Sequence, residues 1–269
     1  WRWLFIIEGL LSLVVLVVWW FMISDRPQEA HWLPARERDY LVTTLAAERA
    51  AKQAEAPVSK APVKDVFGNA GLMKLVILNF FYQTGDYGYT LWLPTILKGL
   101  TGGNMASVGF LAVLPFVATL AGIYVISLFS DHSGKRRLWV RFSLYSFAAA
   151  LVASVVLRDH MVAAYIALVI CGFFLKSATS PFWSMPGRIA SPEVAGSARG
   201  VINGLGNLGG FCGPYLVGVM MYLYGQNVAV CALAGSLIIA GTMTFLLPKQ
   251  CDLVDSDSDV AIKKQPRNA

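Results

Sequence analysis

An all-α, polytopic membrane protein is the fold class this sequence predicts, and three observations predict it. Seven apolar runs, at 3–23, 71–91, 106–129, 138–157, 162–182, 198–223 and 228–247, occupy most of the chain. Each is close to the roughly 20 residues of helix that cross a bilayer core about 30 Å thick. Hydrophobic residues make up 56% of the 269 positions and charged residues 14%. Most of the charges lie between the runs rather than within them. Barrel strands would appear as alternating segments of about 10 residues, half the length of these continuous runs, so the runs predict helices. A soluble bundle is the competing reading, and so many nearly uncharged segments in one chain argue against it.

The first run, 3–23, is too long for a signal peptide and has no small-residue cleavage pattern. It begins without a leading loop or initiator Met, from which the expectation is a chain that forms the C-terminal portion of a longer protein. Residues 24–70 follow as the one sizeable polar insertion. Pro34 suits the first turn of a helix, where its missing N–H is not needed. Leu41, Leu45 and Ala46 then fall on one face, opposite Arg38, Glu48, Arg49 and Lys52. An amphipathic helix over 35–54 is predicted, followed by a Pro-broken linker, AEAPVSKAPVKD. Residues 71–247 carry the other six runs and form one unit, and the polar tail 248–269, with its four aspartates, is expected to be disordered.

Charge gives the orientation. The net charge of +6 could suggest nucleic acid, but its placement excludes that reading. Lys and Arg crowd the connections after runs one, three, five and seven. The opposite set holds only Lys98 and Arg158, with Arg2 opening the first run. By the positive-inside bias, 24–70, 130–137, 183–197 and 248–269 are expected in the cytoplasm. Residue 1 then starts on the outer side, and an odd number of spans is expected upstream. The partner so implied is a lipid bilayer, in a plasma membrane.

Cys171, Cys212, Cys231 and Cys251 have no metal-ligand spacing and suggest no disulfide framework. No phosphate-binding G-x-x-x-x-G-K-[ST] loop is present. A G-x-G-x-x-G match at Gly204, Gly206 and Gly209 lies inside an apolar run with no preceding strand, so it reads as helix packing. Gly200/Gly204, Gly206/Gly210 and Gly209/Gly213 are small-xxx-small pairs, and Pro214 predicts a bend. His31, His132 and His160 lie in loops. No catalytic constellation, metal site or cofactor is expected.

Ionisable groups within spans are costly and therefore candidate functional residues. Asp86 is foremost. Asn79, Gln83, Asp86 and Thr90 recur at helical spacing on one face, with Tyr82 and Tyr89 beside them. Such a stripe predicts a wet cavity wall in which Asp86 can exchange a proton; the plainer alternative is a polar packing seam. Lys176 lies in the fifth run with Ser180 and Trp183 on its face, placed for an anionic substrate or a carboxylate partner. Asn203 and Asn207 share a stripe with Gly200, Gly210 and Pro214 in the sixth run, and their amides can read carboxylate or hydroxyl groups or simply pack. Glu8, in the first run, reads as a structural hydrogen bond or ion pair.

The connection between runs three and four reads SDHSGKRR. Asp131, Gly134, Lys135 and Arg136 resemble the D-[RK]-x-G-[RK]-[RK] loop signature of the major facilitator superfamily. His132 and Ser127 depart from it, as in the weaker second-half copy. WRWLFIIEG followed by SDRPQEAHWLPARER, YGYTLWLPTILKGL and NGLGNLGGFCGPYLVG are similar to segments of its anion:cation symporter family, and together cover most of the chain. The resemblance implies seven transmembrane helices, numbered 6 to 12, with helix 6 followed by the C-terminal six-helix half of a transporter. It further implies a missing N-terminal half, a small organic anion such as a sugar acid as substrate, and a proton or other coupling cation. The candidate translocation residues are then Asn79, Tyr82, Gln83, Asp86, Lys176, Trp183, Asn203 and Asn207. An exporter or antiporter of the same fold, or a non-transporting sensor or scaffold, are the alternatives.

Overall fold

The computed structural model of the chain describes residues 2–24, 26–30, 32–55, 64–190 and 194–252. Among these, regular structure is entirely helical. The chain divides into two units, Trp1–Ser59 and Lys60–Ala269.

The first unit holds α1 (Arg2–Met22), a single 3-10 turn at Pro27–Glu29 and α2 (Ala35–Glu55). At 1.5 Å per residue α1 is roughly 31 Å long, one bilayer core. Its described apolar side chains, from Trp3 to Met22, are exposed, the pattern of a helix whose solvent is hydrocarbon. The helix α2 stands where the amphipathic pattern predicts one. Residues 56–63 of the expected linker lie outside the described residues.

The second unit begins earlier than the sequence suggests. A short α3 (Lys64–Gly68) buries Val66, so the linker does not run to residue 70. Then follow α4 (Ala70–Thr101), α5 (Met105–Ser133), α6 (Arg136–Val156), α7 (Met161–Leu175), α8 (Thr179–Trp183), α9 (Pro186–Ile189), α10 (Ala195–Gly206), α11 (Leu208–Tyr224) and α12 (Gln226–Met243). Side chains in the chain set these limits. Asn69 caps α4 by accepting from the Gly71 and Leu72 amides at 2.9 and 3.2 Å, a contact worth about 1 kcal/mol. Asn104 caps α5 in the same way through Ser107. Gly102 and Gly134 close α4 and α5 at φ 61° and 67°, a left-handed conformation that glycine adopts without steric penalty.

Three of the expected spans are altered. Helix α4 runs ten residues past 91, through Pro94, because Leu93, Ile96 and Leu97 beyond it are buried in the core. The fifth run does not stay helical to 182. Pro181 has no N–H for the Ser177 carbonyl, and the helix opens into a turn after Leu175 before α8 begins. The sixth run is interrupted at Asn207, which joins α10 to α11, while Pro214 lies inside α11.

Five helical stretches among the described residues are long and apolar enough to cross a membrane: Phe5–Met22, Met105–Ser133, Arg136–Val156, Met161–Ile189 and Gln226–Leu246. Helix α4 drops out of that group because its polar stripe lowers its hydropathy. The α10–α11 pair drops out because the interruption leaves two shorter helices.

In the second unit α4 packs on α11, α12 and α10, α6 on α12 and α7, and α5 on α7. Leu75, Leu93 and Leu97 of α4, Leu144 and Phe147 of α6, Leu168 of α7 and Leu237 of α12 are fully buried at the centre. Tyr89 meets Phe147 edge to face, ring centroids 5.5 Å apart. Small residues set the closest crossings. A Cβ at Gly209 or Gly213 would overlap the Phe80 or Thr84 carbonyl of α4, and one at Gly122 would overlap the Phe173 carbonyl. Gly200 and Gly204 have open space beside them, so that pair makes no crossing within this unit.

The first residues of the 248–269 tail, expected to be disordered, are ordered. The turn Lys249–Cys251 folds back so that Cys251 is buried, and Asp252 pairs with Arg137. The rest of the tail lies outside the described residues.

Candidate substrate and ion-coupling site

Asp86 sits at the middle of the 32-residue α4, as far as that helix allows from either end. It is 2% exposed. Its Oδ2 accepts a hydrogen bond from Lys176 Nζ at 2.6 Å, while Oδ1 is buried with no partner in the structure. Lys176 can reach it because α7 ends at Leu175. The turn that Pro181 imposes presents Lys176 at the helix end, its side chain 38% exposed. Its ammonium also lies 5.6 Å from the Tyr87 ring centroid, over the negative face of the ring. The pair is thus lopsided: an enclosed anion with a half-empty coordination, and a cation with a path outward.

The broken helix frees backbone carbonyls, and α4 supplies a donor for one of them. Tyr82 Oη donates to the Leu175 carbonyl at 2.8 Å and lies 3.1 Å from Thr179 Oγ1. Seven residues on, Tyr89 Oη donates to the Leu168 carbonyl, seven residues back along α7, at 2.8 Å. The two tyrosines are rungs between antiparallel helices. They fix the height at which Lys176 meets Asp86.

A second polar chain leaves the same face of α4. Gln83 Nε2 donates to Asn207 Oδ1 at 2.6 Å, and Asn207 Nδ2 donates to Asn203 Oδ1 at 2.7 Å. Asn207 stands at the interruption between α10 and α11, where the helical ladder loses a step. Asn203 is exposed, and with Trp183, Arg199 and Gly200 it lines an open groove of about 440 Å³. Asn79 belongs to neither chain. It is buried against Gly206 and donates to the Ile202 carbonyl at 3.1 Å, a packing contact at the α4–α10 crossing.

The structure therefore brings Asp86 to Lys176, and Gln83 to Asn207 and Asn203, with Trp183 beside Asn203. It commits Tyr82 and Asn79 to backbone carbonyls. Arg199 is the groove residue that the sequence did not single out. Its signal was present, since Arg199, Asn203 and Asn207 repeat at four-residue spacing. No cluster of metal-ligating side chains occurs among the described residues.

In the loop signature, Gly134 ends α5 with its N–H on the Ser130 carbonyl at 2.9 Å, so glycine rather than Asp131 closes the helix. Asp131 and Lys135 are exposed. Arg136 reaches the Ser184 carbonyl at 3.4 Å. The most engaged residue is Arg137, outside the signature positions read from the sequence. Its guanidinium holds Asp252 Oδ2 at 2.7 Å and the Leu247 carbonyl at 2.9 Å, and its backbone N–H donates to Asp252 Oδ1.

The Major Facilitator Superfamily profile matches residues 1–214 and, in a second match, 102–254. The chain belongs to the major facilitator superfamily. The relatives it matches are named as transporters, and the anion:cation symporter resemblance read from the sequence stands with those names. A putative tartrate transporter of Agrobacterium vitis is 30% identical over 93% of this chain and 54% of its own length. A D-galactonate transporter of Escherichia coli O6:H1 is 24% identical over 92% of this chain and 59% of its own. A quinolone resistance transporter of Acinetobacter baumannii is 28% identical over 85% and 52%. The chain spans about half the length of the curated relatives it matches.

Proposed function

We propose that this facilitator chain is the C-terminal portion of a secondary transporter that carries small hydroxylated carboxylates across a bacterial inner membrane together with protons. It supplies seven spans, α4 and the α10–α11 pair being two of them, with the Lys- and Arg-rich connections and the C-terminus in the cytoplasm. The names of the tartrate and galactonate relatives support the substrate class. Their length, roughly 1.6 to 1.7 times that of this chain, supports a partner half that closes the site at mid-membrane.

The observation that carries the reading is the lopsided Asp86–Lys176 pair. A substrate carboxylate entering beside Lys176 competes with Asp86 for the ammonium. An unpaired carboxylate in a buried site costs several kcal/mol, and a proton on Asp86 removes that charge. Anion and proton then favour each other's binding, the thermodynamic content of symport. The Asn203–Asn207–Gln83 amides and Arg199 stand where substrate hydroxyl and carboxylate groups can be read.

The test is uptake of labelled tartrate and galactonate by proteoliposomes holding the full-length protein that carries this chain, with the outside made acidic. Saturable accumulation that collapses with the proton gradient supports the reading. Movement only outward, or only of non-anionic drugs, favours the exporter alternative suggested by the quinolone-resistance relative.

A further inference from the structure

The α6–α12 face carries a cationic pit and, one helical turn further along α6, an apolar groove, with no lining residue shared with the Asn203 groove. The pit, about 360 Å³, is lined by Lys135, Arg137 and Arg141 from the start of α6 and by Phe245 and Asp252 from beyond α12. Its charges are not balanced. Asp252 is taken by Arg137, and neither Lys135 nor Arg141 has a carboxylate partner among the described residues. Arg141 lies over the Phe245 ring, its guanidinium carbon 4.0 Å from the ring centroid. Phe245 is itself 62% exposed, and Leu138 on the same wall is exposed as well.

The groove begins one helical turn past Arg141, at Tyr145. Arg141, Tyr145, Ala149, Val152 and Val156 follow one another on a single helical face. From Tyr145 to Val156 that face and Ile238 of α12 line an apolar trough of about 720 Å³. Its floor is low because Ala148, Ala149 and Ala153 carry only methyl groups. Arg141 to Val156 covers roughly 22 Å along the helix, more than the ~15 Å depth of one leaflet's hydrocarbon.

We propose that this face is a binding site for one anionic phospholipid, its phosphate held by Lys135 and Arg141 and one acyl chain lying in the α6–α12 trough. Two cations without carboxylate partners, at the mouth of an apolar channel of acyl-chain dimensions, match a molecule with an anionic head and a hydrocarbon tail. Arg137, clamped by Asp252 and the Leu247 carbonyl, holds the tail turn against α6 and so forms the far wall of the pit. The site rests on the reading above only for which leaflet it faces, the cytoplasmic one.

The experiment is native mass spectrometry of the purified chain in non-ionic detergent, titrated with phosphatidylglycerol, phosphatidylethanolamine and soluble glycerol phosphate. Phosphatidylglycerol is expected to be retained over phosphatidylethanolamine. Lys135→Gln and Arg141→Gln each lower that retention about fivefold, the effect of about 1 kcal/mol per cation near a lipid surface. Lys249→Gln, a charge at the same end outside the pit, leaves it unchanged. Ala149→Phe fills the trough and lowers retention with every charge in place. Should Arg141→Gln misfold, Lys135→Gln, at an exposed loop position, carries the test alone. Equal retention of the two lipids, a Lys249→Gln effect as large as that of Lys135→Gln, or glycerol phosphate binding as tightly as the lipid overturns the proposal. Labelling that puts position 135 outside, with selective retention intact, overturns the orientation and keeps the site.

Discussion

Removing either member of the Asp86–Lys176 pair should cost stability, and the two costs should differ. Lys176→Met strands a carboxylate that is 2% exposed and whose second oxygen already lacks a partner. Breaking a buried pair from that side costs about 3–5 kcal/mol. Asp86→Asn leaves an ammonium whose side chain is 38% exposed and can reach outward for hydration. What is lost there is a charge-assisted hydrogen bond, partly offset by that hydration, so about 1 kcal/mol remains. Lys176→Met should therefore be the worse by about 2 kcal/mol or more. The double variant Asp86→Asn/Lys176→Met should lie well short of the sum, because the stranded charge is gone. Denaturant titration of the four proteins in mixed micelles, followed by helical circular dichroism, measures all three differences. Equal single costs, or strict additivity, would refute the picture of an enclosed anion held by one accessible cation.

Other outcomes follow from single contacts. Gly209→Leu or Gly213→Leu drives a side chain into an α4 carbonyl and should destabilise the unit by about 1–3 kcal/mol or more, while Gly200→Ala and Gly204→Ala, with open space beside them, should be neutral in the same titration. With cysteine introduced at position 98 or 135 of a cysteine-free chain, an impermeant maleimide added outside intact cells should label 98 and spare 135; the opposite pattern sinks the orientation. Burial, aided by Asp252 and opposed by Arg137, pushes the Cys251 thiol up to about 11. Its alkylation should thus keep rising about tenfold per pH unit through the alkaline range, and a plateau near the ordinary thiol value of about 8.5 would contradict that environment. Residues 1–269 reconstituted alone should show no saturable, proton-dependent carboxylate uptake, since alternating access needs a second half.

The helices were legible because a membrane imposes length and hydrophobicity together, and the apolar runs carry both. The α4 stripe was legible because Asn79, Gln83 and Asp86 interrupt an apolar background at helical spacing. What each stripe residue does was not. Asn79 and Tyr82 take backbone carbonyls of α10 and α7, and those carbonyls become available only once the helices cross and break. The turn that brings Lys176 to Asp86 follows from Pro181, a signal in plain view that the strength of the surrounding apolar run obscured. Pro94 shows the reverse case. It marks a helix end by local rules, yet buried Leu93, Ile96 and Leu97 outweigh one lost hydrogen bond. The Arg137–Asp252 clasp joins positions 115 residues apart and has no local signature.

Proton-coupled anion accumulation in the Asp86→Asn variant decides whether Asp86 carries the coupling proton. The full-length protein, wild type and variant, is reconstituted and loaded with unlabelled tartrate or galactonate for exchange, or left empty for uptake under an imposed proton gradient. The variant, with no carboxylate to protonate, is expected to lose gradient-driven accumulation and to retain anion exchange. Accumulation at the wild-type level in Asp86→Asn, or loss of exchange in equal measure, would contradict that role for Asp86.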